Sequence, residues 1–137
     1  MILHLGVIEQ PYTDDPSVTT GDVAEILEAN YGVMGAFVEM HEQDIADALT
    51  DSMQGALENL MAGASQSANP FGTAESAIVD QFKGFLEREE MNGRPGVPTK
   101  AALDGVNHRL KIEKGSPRPS FIDTSLYEDS MVAWIET

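Results

Sequence analysis

Cysteine is absent from the 137 residues of this chain, and Lys and Arg are absent from its first 82. Without thiols the chain has no disulfide framework, no thiolate zinc site and no cysteine nucleophile. No apolar run approaches the ~18 residues of a membrane span, and the start, MILHLGVIEQPY, lacks the basic region of a signal peptide. We therefore expect a soluble cytoplasmic product with no membrane partner, folded as a single domain over 1–137.

The net charge of −15 is unevenly distributed. Residues 1 to 82 hold 14 acids and no Lys or Arg, whereas residues 94 to 118 hold six bases and two acids. One interpretation is a solvated acidic surface that keeps the chain soluble. The other is self-complementary charge, in which the basic segment of one subunit meets the acidic helix of a neighbour. Because an acidic surface repels phosphates, we expect no tight binding of duplex DNA.

The first half of the chain is predicted to be a strand followed by a long helix. Residues 2 to 9 are rich in strand formers, and Asp22 with Glu25 forms a D-x-x-E variant of the capping box. Apolar residues then recur at helical spacing as far as Leu60, which predicts an amphipathic helix over about 22 to 62. Two glycines near residue 33 indicate either a break, which would divide this helix in two, or close helix packing.

A second helix is predicted over about 74 to 91, with Thr73 as its cap. The uncharged loop 62–72 joins the two helices, and this arrangement is typical of a helical hairpin. Pro98 or Thr99 begins a short helix that ends near Gly105.

The alternation over His108 to Lys114 predicts a strand. From Leu126 to Trp134 we favour a turn of helix followed by a closing strand.

These elements define an α+β fold. It consists of an N-terminal arm or strand, a long amphipathic helix with a break expected near 33, a second helix and a small C-terminal antiparallel sheet. We divide the single domain into an arm over 1–21, a helical hairpin over 22–91 and a proline-rich α/β segment over 92–137.

No motif in the sequence predicts catalysis, and we expect a protein that is not an enzyme and uses no cofactor or metal. The three histidines contain no pair at metal-ligand spacing. No serine lies in a G-x-S-x-G context, and the glycines form neither a P-loop nor a dinucleotide fingerprint. His41 falls on the apolar stripe of the long helix, where we expect a packed histidine, with Glu42 and Asp44 on other faces.

The segment from Arg94 to Trp134 supplies the candidate interface residues. Arg118 lies between two prolines, so that a nearly fixed backbone presents a side chain that is common at interface hot spots. Trp134 fits either the core or an interface, and Asp123 and Thr124 fit the cap of the element that begins near Leu126. The candidate interface residues are Arg94, Arg109, Lys111, Arg118, Phe121, Tyr127 and Trp134.

Four runs of the sequence are distinctive: GVPTKAALDGVNHRL, RPSFIDTSLYEDSMVAWIE, the upstream TGDVAEILEANYGVMGAFVEMHEQDIADALTDSMQGALENLM and NPFGTAESAIVDQFKGFLEREEM. Together they resemble a family of small structural proteins from long-tailed bacteriophages and prophages, which act in tail completion at the neck, where head and tail join. The likeness covers about residues 19 to 136. One departure is Ser125, which stands where the family carries Gly; if the turn there needs a positive φ, Ser fits it less well.

This resemblance implies a virion protein of the neck, assembled in the host cytoplasm as a ring of identical copies. Its partners would be other copies of itself and the neighbouring portal or connector, terminator, tail tube or sheath proteins. An acidic channel lining would let DNA pass without sticking. The alternatives are a tail terminator or baseplate component and, outside the virion, an acidic cytoplasmic regulator that binds a basic partner.

Overall fold

A two-stranded antiparallel sheet joins the two ends of the chain. The computed structural model describes residues 1–106, 115–122 and 124–137, and in it β1 (Ile2–Val7) pairs with β2 (Met131–Glu136). The α+β class is confirmed, with the small sheet formed by the C-terminal strand and the N-terminal one. The strand predicted over His108 to Lys114 lies outside the described residues. The core-facing pairs are Leu3 with Ile135, Leu5 with Ala133 and Val7 with Met131.

Helix α1 runs over Thr20–Tyr31 and begins with a reciprocal capping box. The Thr19 hydroxyl accepts a hydrogen bond from the Asp22 N–H at 3.2 Å, and the Asp22 carboxylate accepts one from the Thr19 N–H at 2.9 Å. The predicted box of Asp22 and Glu25 is therefore wrong by one turn. Thr19 has the extended backbone that a cap requires, so Asp22 becomes the third residue of the helix rather than its cap.

The predicted long helix is broken twice. The break expected near 33 is confirmed at Gly32, whose φ of 61° is left-handed and is available to glycine without a Cβ penalty. Helix α2 follows at once over Val33–Met40. A second break, which the sequence did not predict, lies at His41, and α3 then runs over Glu42–Met61.

A carboxylate from α1 serves as the cap that α2 lacks. Gly32 precedes α2 and has no side chain to accept from its first N–H groups. The Glu28 carboxylate accepts from the N–H of Met34 at 2.8 Å and from that of Gly35 at 3.1 Å. The break after α1 is thus stabilised by a residue that the amphipathic pattern assigns only to the solvent face.

Helix α4 runs over Gly72–Glu87, close to the predicted second helix. Thr73 is not its cap, because it lies inside the first turn and Phe71 occupies the N-cap without a side-chain bond. Asn69 orders this start instead: its amide oxygen accepts from the Phe71 N–H at 3.0 Å, and its amide nitrogen donates to Glu75 at 2.7 Å.

The core is an aromatic cluster between α2 and α4. Phe37 meets Phe82 edge to face, with ring centroids 5.3 Å apart, and lies 5.6 Å from Phe85. Val33 and Ile78 are fully buried beside these rings. Because α4 also carries β2, this cluster ties the helices to the sheet.

The C-terminal segment follows most of its prediction. Helix α5 (Lys100–Asp104) is capped by the Thr99 hydroxyl and ends at Gly105, which has a φ of 63°. Helix α6 (Leu126–Asp129) leads into β2 after one residue, as the turn of helix and closing strand predicted.

The expected cap of α6 by Thr124 is wrong. Ser125 rather than Thr124 occupies the N-cap, and the Ser125 side chain makes no cap hydrogen bond. Its φ of 63° is left-handed, which costs a residue with a Cβ roughly 1 kcal/mol. Asp123, the other expected cap, lies outside the described residues.

Replacing Thr19 by Ala is expected to lower the free energy of unfolding by about 1 kcal/mol, because the Asp22 N–H loses its acceptor. The matched control is Thr73→Ala, which removes the same hydroxyl from the first turn of α4, where it is not the cap, and is expected to be neutral or slightly stabilising. Urea denaturation followed by circular dichroism measures both. Equal losses in the two variants would contradict the capping assignment.

Candidate functional site

The C-terminal part of α3 exposes a row of large apolar side chains. The stripe begins with Ile45 and Leu49, which pack on the core, and continues past the point where the core ends. Its last four members are exposed by 52% to 80%, and every residue from 57 to 70 is exposed. Contiguous exposed apolar surface of this kind marks an interaction site. We call these four side chains the apolar row: Met53, Leu57, Leu60 and Met61.

Helix α3 also carries five acidic residues, and it contains no Lys or Arg to balance their charge. The loop 62–70 that follows is uncharged. A partner of this helix end therefore meets an apolar row beside carboxylates, and basic groups on that partner would be attracted to it. The acids of α3 are Glu42, Asp44, Asp47, Asp51 and Glu58.

A second apolar surface is the groove between α1 and the segment 118–127, which we call the α1 groove. Its volume is about 440 Å³, within the range of roughly 300–1,000 Å³ that ligand clefts occupy. Ile26, in its α1 wall, is 56% exposed, although the side chain is fully apolar. Lys100, which is exposed, lies in the sequence between two lining residues, Thr99 and Ala101. Its apolar walls are formed mainly by Val23, Ile26, Leu27, Tyr31, Phe121 and Tyr127.

Two of the seven candidate interface residues lie on the surface with local partners. The Arg94 guanidinium is 3.2 Å from the Glu39 carboxylate of α2. The Trp134 ring, about half exposed, stacks on His4 across the sheet with centroids 5.0 Å apart. His4 in turn lies 2.8 Å from Glu136. Both candidates are accessible, and neither adjoins the apolar row in the sequence.

Three other candidates hold the C-terminal segment together. Arg118 donates to the backbone carbonyls of Val106 and Ile122, each at 2.8 Å. Phe121 meets Tyr31 edge to face at 5.2 Å. Tyr127 is buried, and burial raises the pKa of its hydroxyl, with a smaller contribution from the Glu28 charge. A substitution of Arg118 would therefore test folding as much as docking.

Arg109 and Lys111, the remaining candidates, lie outside the described residues. Of the expected groups, the structure thus brings together Arg118, Phe121 and Tyr127, all three of which line the α1 groove. The sequence pointed to the apolar row only as part of an amphipathic stripe, because periodicity marks a face but does not tell whether the face is covered.

His41 forms a clamp at the break between α2 and α3. Its Nδ1 lies 2.9 Å from Asp44 and its Nε2 lies 3.0 Å from Glu90, so the expectation that Asp44 points elsewhere is wrong. The reason is the helix break, which turns the ring back over the first turn of α3. Phe37 stacks on the ring, and Phe85 meets it in an edge-to-face contact. Both ring nitrogens therefore have a carboxylate partner, one in the first turn of α3 and one just beyond α4.

A second buried group is Glu128 of α6, which is only 6% exposed and has one carboxylate oxygen without a partner among the described residues. Burial raises the pKa of Glu128, and the charges of Glu87 and Asp129 raise it further, against a lowering by Lys83. A hydrogen bond with the Glu87 carboxyl acts in the same direction as burial. Glu128 therefore favours its protonated form more than an exposed glutamate does.

The chain matches no protein-family model, no curated protein and no solved structure. No described helix is both long enough and apolar enough to cross a membrane. Within the described ranges, no three His, Asp or Glu side chains converge as a metal site would require. The features that remain as candidates for function are the apolar row and the α1 groove.

Replacing His41 by Leu is expected to lower the free energy of unfolding by about 1–3 kcal/mol, because the half-buried Glu90 loses its hydrogen bond with the His41 ring. The control is Gln43→Leu, which removes an exposed bond to Asp47 and is expected to stay within about 0.5 kcal/mol of wild type. Chemical denaturation at neutral pH measures both. A His41→Leu protein as stable as Gln43→Leu would rule out the clamp as a stabilising contact.

Replacing Glu128 by Gln is expected to raise the melting temperature at pH 7. The folded pKa of Glu128 is raised above its unfolded value, so the stability that protonation supplies is present below about pH 4 and is lost as pH rises through the folded pKa. Gln does not ionise, so the gain over wild type should shrink toward pH 4. Glu25→Gln, which removes the same charge from an exposed site, controls for net charge. A gain that is equal at both pH values, or equal in the control, would refute the assignment.

Proposed function

We propose that this chain is an assembly protein of a tailed-bacteriophage virion, which forms part of the neck between head and tail as a ring of identical copies. The resemblance of residues 19 to 136 to neck proteins supports this proposal. So does the backbone at Ser125, where the family carries Gly: its φ of 63° is the left-handed conformation that glycine adopts readily. The departure in sequence thus retains the turn that a glycine would favour.

The observation that carries the proposal is the apolar row at the end of α3. Four large apolar side chains on one exposed face are stabilised in water only when another surface covers them. An assembly protein presents such a surface until its partner arrives. The row lies on a helix end that runs past the core, so docking there does not require the core to rearrange.

The contacts of His41 also favour assembly over catalysis. A histidine that acts as a general base needs a free nitrogen within reach of substrate. Both nitrogens of His41 have carboxylate partners, and the ring packs against Phe37 and Phe85. The group therefore fits a role in holding the helix break in place.

The charge distribution is compatible with a ring, and it is also compatible with the second candidate function, an acidic regulator. The cations begin at Lys83, so an acidic surface from one copy can face basic groups of a neighbour. In a ring around the DNA channel, acidic lining would keep the passing phosphates from sticking. The absence of Lys and Arg from residues 1 to 82 equally favours an acidic regulator that binds a basic partner outside any particle.

The test is the protein content of purified particles, combined with complementation of a phage that lacks the gene. We expect the protein in intact virions, and unjoined heads and tails without it. Leu60→Asp should fail to complement, because a charge in the apolar row opposes its burial. Asn59→Asp adds the same charge on the side of α3 that lines the cleft between α3 and α4, away from the apolar row, and should complement.

Normal joined particles without the protein would refute the neck assignment. If the protein were absent from virions but bound a basic host or phage protein, the regulator would be the better reading. Cross-linking within particles separates neck, terminator and baseplate positions by the neighbour that is captured.

A further inference from the structure

We infer that the apolar row of one copy docks into the α1 groove of the next copy. The inference rests on the proposed function only in that the partner is a second copy of this chain. Both surfaces are apolar and uncovered: the row projects Leu57 and Leu60, and the groove exposes Ile26 along its wall. A projecting helix edge and a cleft of about 440 Å³ are complementary in shape.

The two surfaces belong to different parts of one molecule. Helix α3 packs against α2 and α4, whereas the groove is formed by α1, the start of α5 and the segment 118–127. The groove elements are thus not those on which α3 lies. Contact between row and groove is therefore expected between copies rather than within one.

Charge argues against the simplest alternative, in which two α3 ends pair with each other. Helix α3 carries acids and no base, so a symmetric pair would bring like charges together. Two α1 grooves are both concave and leave each other unfilled. The remaining self-contact is row against groove.

A positive charge, which α3 lacks, is present next to the groove at Lys100. Lys100 is exposed between Thr99 and Ala101, which line the groove, and no described residue forms an ion pair with it. On α3, Glu58 follows Leu57 directly and bonds only Gln54 among the described residues. A Glu58–Lys100 contact between copies would place the row in the groove with the charges matched.

Such a contact is heterologous, since the two copies use different surfaces. Heterologous contacts close into rings when the rotation between copies permits, and otherwise give open filaments. The row–groove contact therefore supplies a ring with its repeating joint. A symmetric α3 pair would instead stop at a dimer.

The absence of cysteine makes this contact directly testable. Full-length Leu60→Cys and Ile26→Cys proteins are purified, mixed and oxidised, and the mixed disulfide is measured by mass spectrometry. We expect the mixed species to exceed either homodimer. In the control, Asn59→Cys replaces Leu60→Cys. Asn59 lines a different cleft, the one between α3 and α4, so this variant should give little mixed product.

A charge exchange tests the register. Glu58→Lys introduced into the Leu60→Cys chain, or Lys100→Glu into the Ile26→Cys chain, should each lower the mixed disulfide about fivefold. Mixing the two exchanged chains should restore it. Circular dichroism confirms that each variant is folded, as expected for exposed positions.

If the disulfide between two Leu60→Cys chains predominates, the inference is overturned in favour of paired α3 ends. Mixed disulfide no greater than with Asn59→Cys would overturn it in favour of a partner other than this chain. Neither result bears on particle content, so the neck proposal stands or falls by its own experiment.

Discussion

The packing of Phe37 on Phe82 and Phe85 is the constraint on which the rest of the structure depends. These rings are fully buried, and edge-to-face contacts of this kind add roughly 0.5–1.5 kcal/mol beyond the area they remove from water. They fix α2 against α4, and α4 carries the sheet that joins the two chain ends. Because α2 is only eight residues long, α1 and α3 must turn away from it on either side. The breaks at Gly32 and His41 follow from that need.

In a half-chain without cations, carboxylates stabilise the fold as hydrogen-bond acceptors. Glu28 accepts from the first N–H groups of α2, and Asp22 closes the capping box of α1. Glu75 reaches from α4 to the Ile135 N–H of the sheet at 2.9 Å. Charged acceptors make stronger hydrogen bonds than neutral ones and favour helix N-termini. Some of the carboxylates that the composition alone would place on a solvated surface therefore stabilise the fold, in addition to any effect on solubility.

The sequence predicted the elements whose signals are local and missed those whose partners are distant. Thr99 and Gly105 bracket a short helix within a few residues, and both were identified. The clamp on His41 depends on Glu90, 49 residues away, and no spacing rule could connect them. The strand β2 was expected in a C-terminal sheet, but its pairing with β1 spans the whole chain. The candidate site divides in the same way. The periodicity of α3 identified the apolar row but not its exposure, and the α1 groove is assembled from several segments that are far apart in the sequence.

The exposed end of α3 is best understood from the size of the core it leaves behind. A fold of this length buries about two thirds of its unfolded surface, and Ile45 and Leu49 take the part of that core which α3 can reach. Beyond them the helix continues for about three more turns, and its last apolar side chains have no covering element. Polar substitutions at these exposed positions would cost the monomer little. Side chains that do not stabilise the monomer, yet keep the apolar pattern of a buried helix, match what an intermolecular contact requires. The same helix end supplies the acid Glu58, and the exposed Lys100, next in sequence to two groove-lining residues, is a candidate counter-charge in another copy. Row, groove and charge together favour an interface in which each copy contributes both halves of the joint.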